Sequence, residues 1–249
     1  YLTDRVIPMI PHQLSNGICS LNPNVERCAV SCIMKIDNRG KVIDYDIFPS
    51  IIKSNKKMTY TSVNHYLMDN IVDEGYEEYT GALSTMKELA DIIRKERTRR
   101  GASDFDIEEP YIVCDEKGKA IDVVKRERGD GERLIEDFMI AANETIAKYF
   151  ISMNLPSIYR VHDVPKPEKI QAFINFCGAT GHPVKGKFSK LNPRTFQKLL
   201  EQIEVDEDQA SIYKSLAVRS MPKAFYGKDN IGHFGLASMN YTHFTSHIR

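Results

Sequence analysis

The chain has 249 residues, 42% of them hydrophobic and 27% charged, which suits one large or two small globular domains with a sizeable core. Its 34 basic and 34 acidic residues cancel, so total charge gives no argument for a polyanionic partner, and any such site must come from local distribution. No apolar run nears the roughly 20 residues of a membrane-spanning helix, and the N-terminus lacks the basic-then-apolar form of a secretory signal, which makes the cytoplasm the expected location and excludes a membrane partner.

Residues 1 to 24 carry Pro8, Pro11, Gly17 and Pro23 among short apolar groups, so an irregular, well-packed segment is expected there. From Val25 to Asp37 the residues are β-branched or small and partly alternating. Asp37-Asn38-Arg39-Gly40 then supplies a turn and Val42 to Ser54 resumes the strand pattern, which predicts a hairpin. Tyr60 to Asn70 reads as a short helix, and Thr85-Met86-Lys87-Glu88 has the spacing of a capping box that would start a longer one. The far end of that helix is basic, with Arg94, Lys95, Arg97, Arg99 and Arg100. Two readings stand: a solvated face that offsets the helix dipole, or a strip facing phosphate. Gly101 stops the helix, and a second hairpin is expected from Tyr111 to Lys125 around Asp115-Glu116-Lys117-Gly118.

Asp130 can cap a long helix from about Gly131 to Met153, with Leu134, Ile135, Phe138, Met139, Ala142, Ile146, Tyr149 and Phe150 as its apolar stripe. Glu136 and Asn143, seven residues apart, project from nearly the same side of it. Ser157 to His162 reads as a strand. Helices should follow from Pro167, from Asn192-Pro193 and from about Asp208 to Ser220, with the acidic stretch from Glu204 to Asp208 an exposed loop. No linker or repeat marks a domain boundary. Cys19, Cys28, Cys32, Cys114 and Cys177 are odd in number and lack zinc or C-x-x-C spacing, so each is read as a structural thiol.

The closing stretch, Gly232 to Arg249, combines glycines, histidines, aromatic rings and hydroxyls without helical or strand periodicity, the texture of a binding loop. Gly232 and Gly235 would let backbone approach a polyanion closely, and Tyr241 and Phe244 offer stacking or packing faces. Thr242, Thr245, Ser246 and their amides could donate to phosphate oxygens. His233 and His243 read as structural hydrogen-bonding residues.

Several segments together resemble the catalytic (RNB) domain of the ribonuclease II/ribonuclease R family of bacterial 3′-5′ exoribonucleases, with ribonuclease R members the nearer likeness. They are YLTDRVIPMIPHQLSNGICSLNPN at 1–24, Met58-Thr59-Tyr60, Arg100 to Phe105, LIEDFMIAANE at 134–144, Tyr159-Arg160-Val161-His162, Leu216 to Met221, and GHFGLASMNYTHFTSHIR at 232–249. The resemblance spans essentially the whole chain in order. It implies an α+β fold with antiparallel strands packed around the long helix, residues 1–249 forming a partial catalytic domain of a longer protein. It also implies processive hydrolysis of single-stranded RNA to nucleoside 5′-monophosphates by a two-metal mechanism. Mg²⁺ is the implied cofactor with Mn²⁺ as a substitute, and association with RNA-decay machinery or ribosomes is a further expectation.

By the same resemblance, Glu136 is the acidic residue supporting the active centre and Arg249 the arginine on the scissile phosphate. Tyr1 and Phe105 are the aromatic walls of a base stack, with Tyr241, Thr245 and Ser246 further RNA contacts. The aspartates that hold the metals in relatives are expected upstream of Tyr1, so no metal ligand is assigned in this chain and residues 1–249 alone are expected to be inactive. His247 departs from the family's usual proline, which bears on how Arg249 is presented. An RNA-binding or scaffold module without chemistry is the rival reading.

Overall fold

The computed structural model describes residues 2, 5–103, 109–126, 128–186, 188, 191–203 and 207–245. It is an α+β chain with β1 (Glu26–Ile36), β2 (Val42–Lys53), α1 (Tyr60–Asp69), α2 (Thr80–Arg100), β3 (Glu109–Cys114) and β4 (Ala120–Arg126). There follow α3 (Asp130–Ser152), β5 (Tyr159–Val161), α4 (Pro167–Ala179), α5 (Pro193–Leu200), α6 (Glu207–Ser220) and β6 (Phe225–Gly227). Among the described residues the strands form three two-stranded sheets, β1-β2, β3-β4 and β5-β6.

Both long hairpins turn by the same chemistry. Asp37 Oδ1 accepts from the amides of Arg39 and Lys41, each at 2.9 Å, and Asp115 Oδ1 accepts from Lys117 and Lys119 at the same distances. Each turn then needs a left-handed residue, supplied by Gly40 (φ 79°) and Gly118 (φ 77°).

The chain divides into two compact units, and α2, α3 and the first hairpin each contribute to both. Each unit is assembled from several separate segments, so no single linker divides them in the sequence. One unit comprises residues 1–34, 44–87 and 108–134. Its core is Val63, Tyr76 and Leu83, with Met58, Tyr66, Leu67 and Tyr79 packed on it. Thr59 caps α1 by accepting from the Ser62 amide, and Tyr76 Oη accepts the Thr59 amide at 3.0 Å. The expected close packing of the N-terminal segment is not observed: Val6, Ile7, Met9, Ile18 and Leu21 are exposed, and Gln13–Ile18 forms a π-helical turn.

Two helix starts differ from expectation. A 3₁₀ turn at Glu77–Tyr79 feeds α2 five residues before the capping-box sequence, so Thr85 sits inside the helix and its hydroxyl donates back to the Gly81 carbonyl. At the start of α3, Asp130 is paired with Lys87 at 2.9 Å. The Gly129 amide is taken by Glu132 and the Gly131 amide by Asn64.

The other unit comprises residues 35–43, 88–107 and 135–249. α4, α5 and α6 enclose an apolar core of Ile170, Phe173, Cys177, Phe196, Leu199, Tyr213 and Ala217, and Phe234 from the closing stretch joins it. Pro167 and Pro193 stand at the first turns of α4 and α5, where a missing N–H costs nothing, and Asn192 caps α5. β5 packs on α3 through Tyr159 and Val161 against Ala147. Gly101 (φ 106°) ends α2 where a Cβ would meet the Arg194 backbone at 2.6 Å, so only glycine fits. Among the described residues the cysteines are unbridged, and Cys177 alone is fully buried.

Candidate active site

The α3 stripe differs from the one its apolar residues suggested. Ile135 and Met139 are exposed, while Asp137 (0% exposed) and Asn143 (2%) lie on the buried side. Asp137 is inside because the second half of α2 presents arginines to it, and Asn143 because the 241–245 segment satisfies its amide. Arg94 places Nε 2.9 Å and Nη2 2.7 Å from Asp137 Oδ2, and Arg97 Nη2 stands 3.0 Å from Asp137 Oδ1. Arg97 Nη1 lies 3.6 Å from Glu136 Oε1, and Arg100 pairs with Glu144 at 2.9 Å.

The exposed Arg99, in the last turn, fits the solvated, dipole-offsetting reading, while Arg94, Arg97 and Arg100 turn toward α3. These three form an internal ladder at positions i, i+3 and i+6, and Arg99 is occupied bidentately by Glu96. Burial pushes the Asp137 carboxyl upward against the pull of Arg97 and Arg94.

Asn143 is the second organising residue. Its Nδ2 donates to Tyr241 Oη at 3.1 Å, and its Oδ1 accepts the amides of Phe244 (2.9 Å) and Thr245 (3.0 Å). One buried amide side chain thus fixes the backbone of 241–245 to the helix that carries Glu136. Thr242 adds a 2.7 Å bond to the Ile158 carbonyl.

The first half of the closing stretch is pinned to the end of β5. The His162 amide donates to Gly232, and Phe234 donates back to the His162 carbonyl. His233 and Ser238 pair across a tight turn. Gly235 approaches His162 so closely that a Cβ would stand 3.0 Å from its Nδ1, and a Cβ at Gly232 (φ 82°) would meet the Ser238 carbonyl at 3.1 Å. The glycines expected to face a polyanion are used for contacts within the protein.

His162 Nδ1 accepts the Gly235 amide and His233 Nδ1 the Leu236 amide, so both rings are neutral acceptors. Burial lowers His162 and, with His162 nearby, pushes His233 down to about 3. His243 Nδ1 is bonded to Tyr226 Oη at 2.7 Å. The histidines hold the loop.

Of the residues singled out in the sequence, Tyr1, Phe105, Ser246 and Arg249, together with His247, lie outside the described residues. Glu136 and Thr245 are brought to α3 and its attached segment, with the Glu136 side chain 36% exposed. Tyr241 is 7% exposed, its ring edge-on to His233 and His243 and its hydroxyl held by Asn143, so it presents no open stacking face. Asp137, Arg94 and Arg97 were not singled out as a group. The available signal was an Arg pair three residues apart in α2 and an acidic pair inside an apolar helix.

Among the described residues no group of three His, Cys, Asp or Glu side chains could hold a metal ion. Asp137, the best-placed carboxylate beside Glu136, is committed to two guanidinium groups. These residues do not fit a Mg²⁺ or Mn²⁺ centre. No helix among them is long and apolar enough to cross a membrane.

Comparison with known proteins places this geometry. A family model described as the RNB domain matches residues 1–249. Ribonuclease R of Thermotoga maritima is 48% identical over 251 residues, covering all of this chain and 35% of the relative. Ribonuclease R 1 of Lactococcus lactis is 44% identical over 250 residues, covering all of this chain and 30% of that relative. The chain therefore spans about a third of the length of these curated relatives. The solved structure of Mycoplasma genitalium RNase R in complex with ribose methylated single-stranded RNA superposes with a TM-score of 0.91 at 32% identity, over 98% of this chain and 38% of that one.

Proposed function

The chain belongs to the RNB domain family, and from that premise we propose that it forms part of the catalytic domain of a 3′-5′ exoribonuclease. The enzyme hydrolyses single-stranded RNA processively and releases nucleoside 5′-monophosphates. The observation that carries this reading is the joint placement of Glu136 and the 241–245 backbone on α3, the first beside Arg97 and the second through Asn143. It holds a partly exposed carboxylate and the segment that carries the Thr245 hydroxyl on one helix, side chains of the kind that meet ribose hydroxyls and phosphate oxygens.

Glu136 and Arg249 are the proposed catalytic residues. A guanidinium suits the charge that develops on a phosphate under attack. Tyr1 and Phe105 are proposed to stack bases, each stack contributing roughly 1–3 kcal/mol without regard to sequence. Thr245 and Ser246 are proposed phosphate contacts. Tyr241, being buried, serves by holding the segment in register.

Divalent metal, Mg²⁺ or Mn²⁺, is part of the proposal and would activate water and neutralise phosphate charge. The family resemblance supports aspartates preceding Tyr1 in the full-length protein as its ligands. The enzyme is proposed to work in the cytoplasm, alongside RNA-decay machinery or ribosomes.

The test uses the full-length protein with Mg²⁺ and uniformly labelled single-stranded RNA. Nucleoside 5′-monophosphates should accumulate from the first time points while the substrate shortens from its 3′ end. Absence of mononucleotides, or internal fragments in their place, would refute the reading. Residues 1–249 alone should release none.

A further inference from the structure

We propose that Arg97 is a positioning residue for Glu136, with the Arg94–Asp137 ion pair as the fixed mount that holds Arg97 in place. The inference rests on the proposed role of Glu136 in the reaction and goes beyond it by assigning what aims that side chain.

The mount is rigid by construction. Asp137 is fully buried, and both its oxygens face guanidinium nitrogens, Oδ2 at 2.7 and 2.9 Å from Arg94 and Oδ1 at 3.0 Å from Arg97 Nη2. A carboxylate so placed cannot leave without stranding the buried Arg97 and taking from Arg94 its shortest ion pair. Arg97 Nη2 is held beside Asp137 as a buried ion pair, Asp137 Oδ1 making no hydrogen bond among the described residues, and the planar guanidinium carries the other terminal nitrogen with it. That other nitrogen, Nη1, is buried and has no hydrogen-bond partner among the described residues. Glu136 Oε1 stands 3.6 Å from it.

A buried charged N–H left unsatisfied is unfavourable, and the approach of Glu136 by about 0.6 Å would complete a charge-assisted hydrogen bond. Glu136 is the most exposed member of the set, its side chain being 36% exposed against 23% for Arg94, 7% for Arg97 and 0% for Asp137. The set therefore runs from a locked interior to a solvent-facing carboxylate. Arg97 draws Glu136 Oε1 toward α2 and so restricts the rotamers open to that side chain. A Lys at 97 could pair with Asp137 as a point charge, but it lacks the fork needed to reach both carboxylates at once.

The experiment measures kcat and KM for mononucleotide release by the full-length enzyme carrying Arg97→Met, Arg97→Lys, Glu136→Gln and the Arg97→Met/Glu136→Gln double change. Folding of each variant is checked by its thermal transition. Arg97→Met is expected to lower kcat about 10- to 100-fold with KM changed less than about threefold, the signature of lost orientation. The double variant should be no slower than the slower single one, because both changes remove the same aimed carboxylate. Arg97→Lys should recover the thermal transition and leave kcat low.

Should Arg97→Met fail to fold, Arg97→Lys carries the test, and wild-type kcat in that folded variant overturns the proposal. Multiplicative effects in the double variant overturn it as well. If Glu136→Gln is slow while folded Arg97→Met turns over normally, the positioning role fails and the site reading stands. If Glu136→Gln itself turns over at the wild-type rate, the Glu136 assignment fails and the positioning role falls with it.

Discussion

Two parts of the same compact unit are built on opposite principles. The core under α4, α5 and α6 is apolar, with Phe196 and Leu199 fully buried and Phe234 inserted among them. The seam between α2 and α3 buries Asp137 just as deeply, yet fills the space with arginines. Apolar burial is non-directional and tolerant of repacking, and it supplies most of the stability. A buried ion pair often gains little net stability over apolar residues of similar size, because desolvation offsets the attraction. What the seam supplies instead is direction: it fixes where a guanidinium, and through it a solvent-facing carboxylate, will point. The contrast assigns stability to one region and aim to the other.

The largest expected effect breaks the seam at its centre. Asp137→Asn keeps the shape and removes the charge, stranding the buried Arg97 and taking from Arg94 its shortest ion pair, and should cost about 3–5 kcal/mol by urea unfolding. Phe234→Leu in the apolar core should cost less, about 1–3 kcal/mol, because neighbours can close on the smaller side chain. A cost for Asp137→Asn below that of Phe234→Leu would show that the seam is not the tightly specified structure described above.

A smaller effect concerns the loop that brings Phe234 to the core. His162 and His233 are held neutral there, His233 with its pKa pushed down to about 3. Because the folded-state values are depressed, the unfolded chain takes up protons first as the pH falls below about 6.5, and stability is lost from there downward. For His233 the loss continues until the pH nears its folded value of about 3. Between about pH 6.5 and pH 5 one such proton should cost about 1.5 kcal/mol. Urea midpoints across that window should fall, and His233→Asn should flatten the slope. An equal slope in that variant would remove the loop from the acid response.

Most of the regular structure was legible because it rests on local chemistry. Asp37 and Gly40 announce a hairpin turn, Pro167 and Pro193 announce helix starts, and Gly101 announces a helix end. The start of α2 was missed because a 3₁₀ turn before Thr80 overrides the capping-box spacing at Thr85. The face of α3 was misread for a physical reason: apolar counting assigns the buried side to residues such as Met139, and cannot know that α2 brings cations to Asp137.

The same limit applied to the site. Glu136 is legible through the family resemblance, and Asn143 only as sharing its side of the helix. That Asn143 ties down Tyr241, Phe244 and Thr245 depends on contacts about a hundred residues apart, which no local pattern encodes.

The division between aim and stability is tested most directly by one paired measurement in the full-length enzyme. Mononucleotide release from single-stranded RNA is followed for Arg97→Met and Phe234→Leu, each assayed well below its own unfolding midpoint. The account predicts that Arg97→Met is slowed at saturating RNA while Phe234→Leu keeps the wild-type rate. Equal rates in the two folded variants, or slowing only in Phe234→Leu, would contradict it.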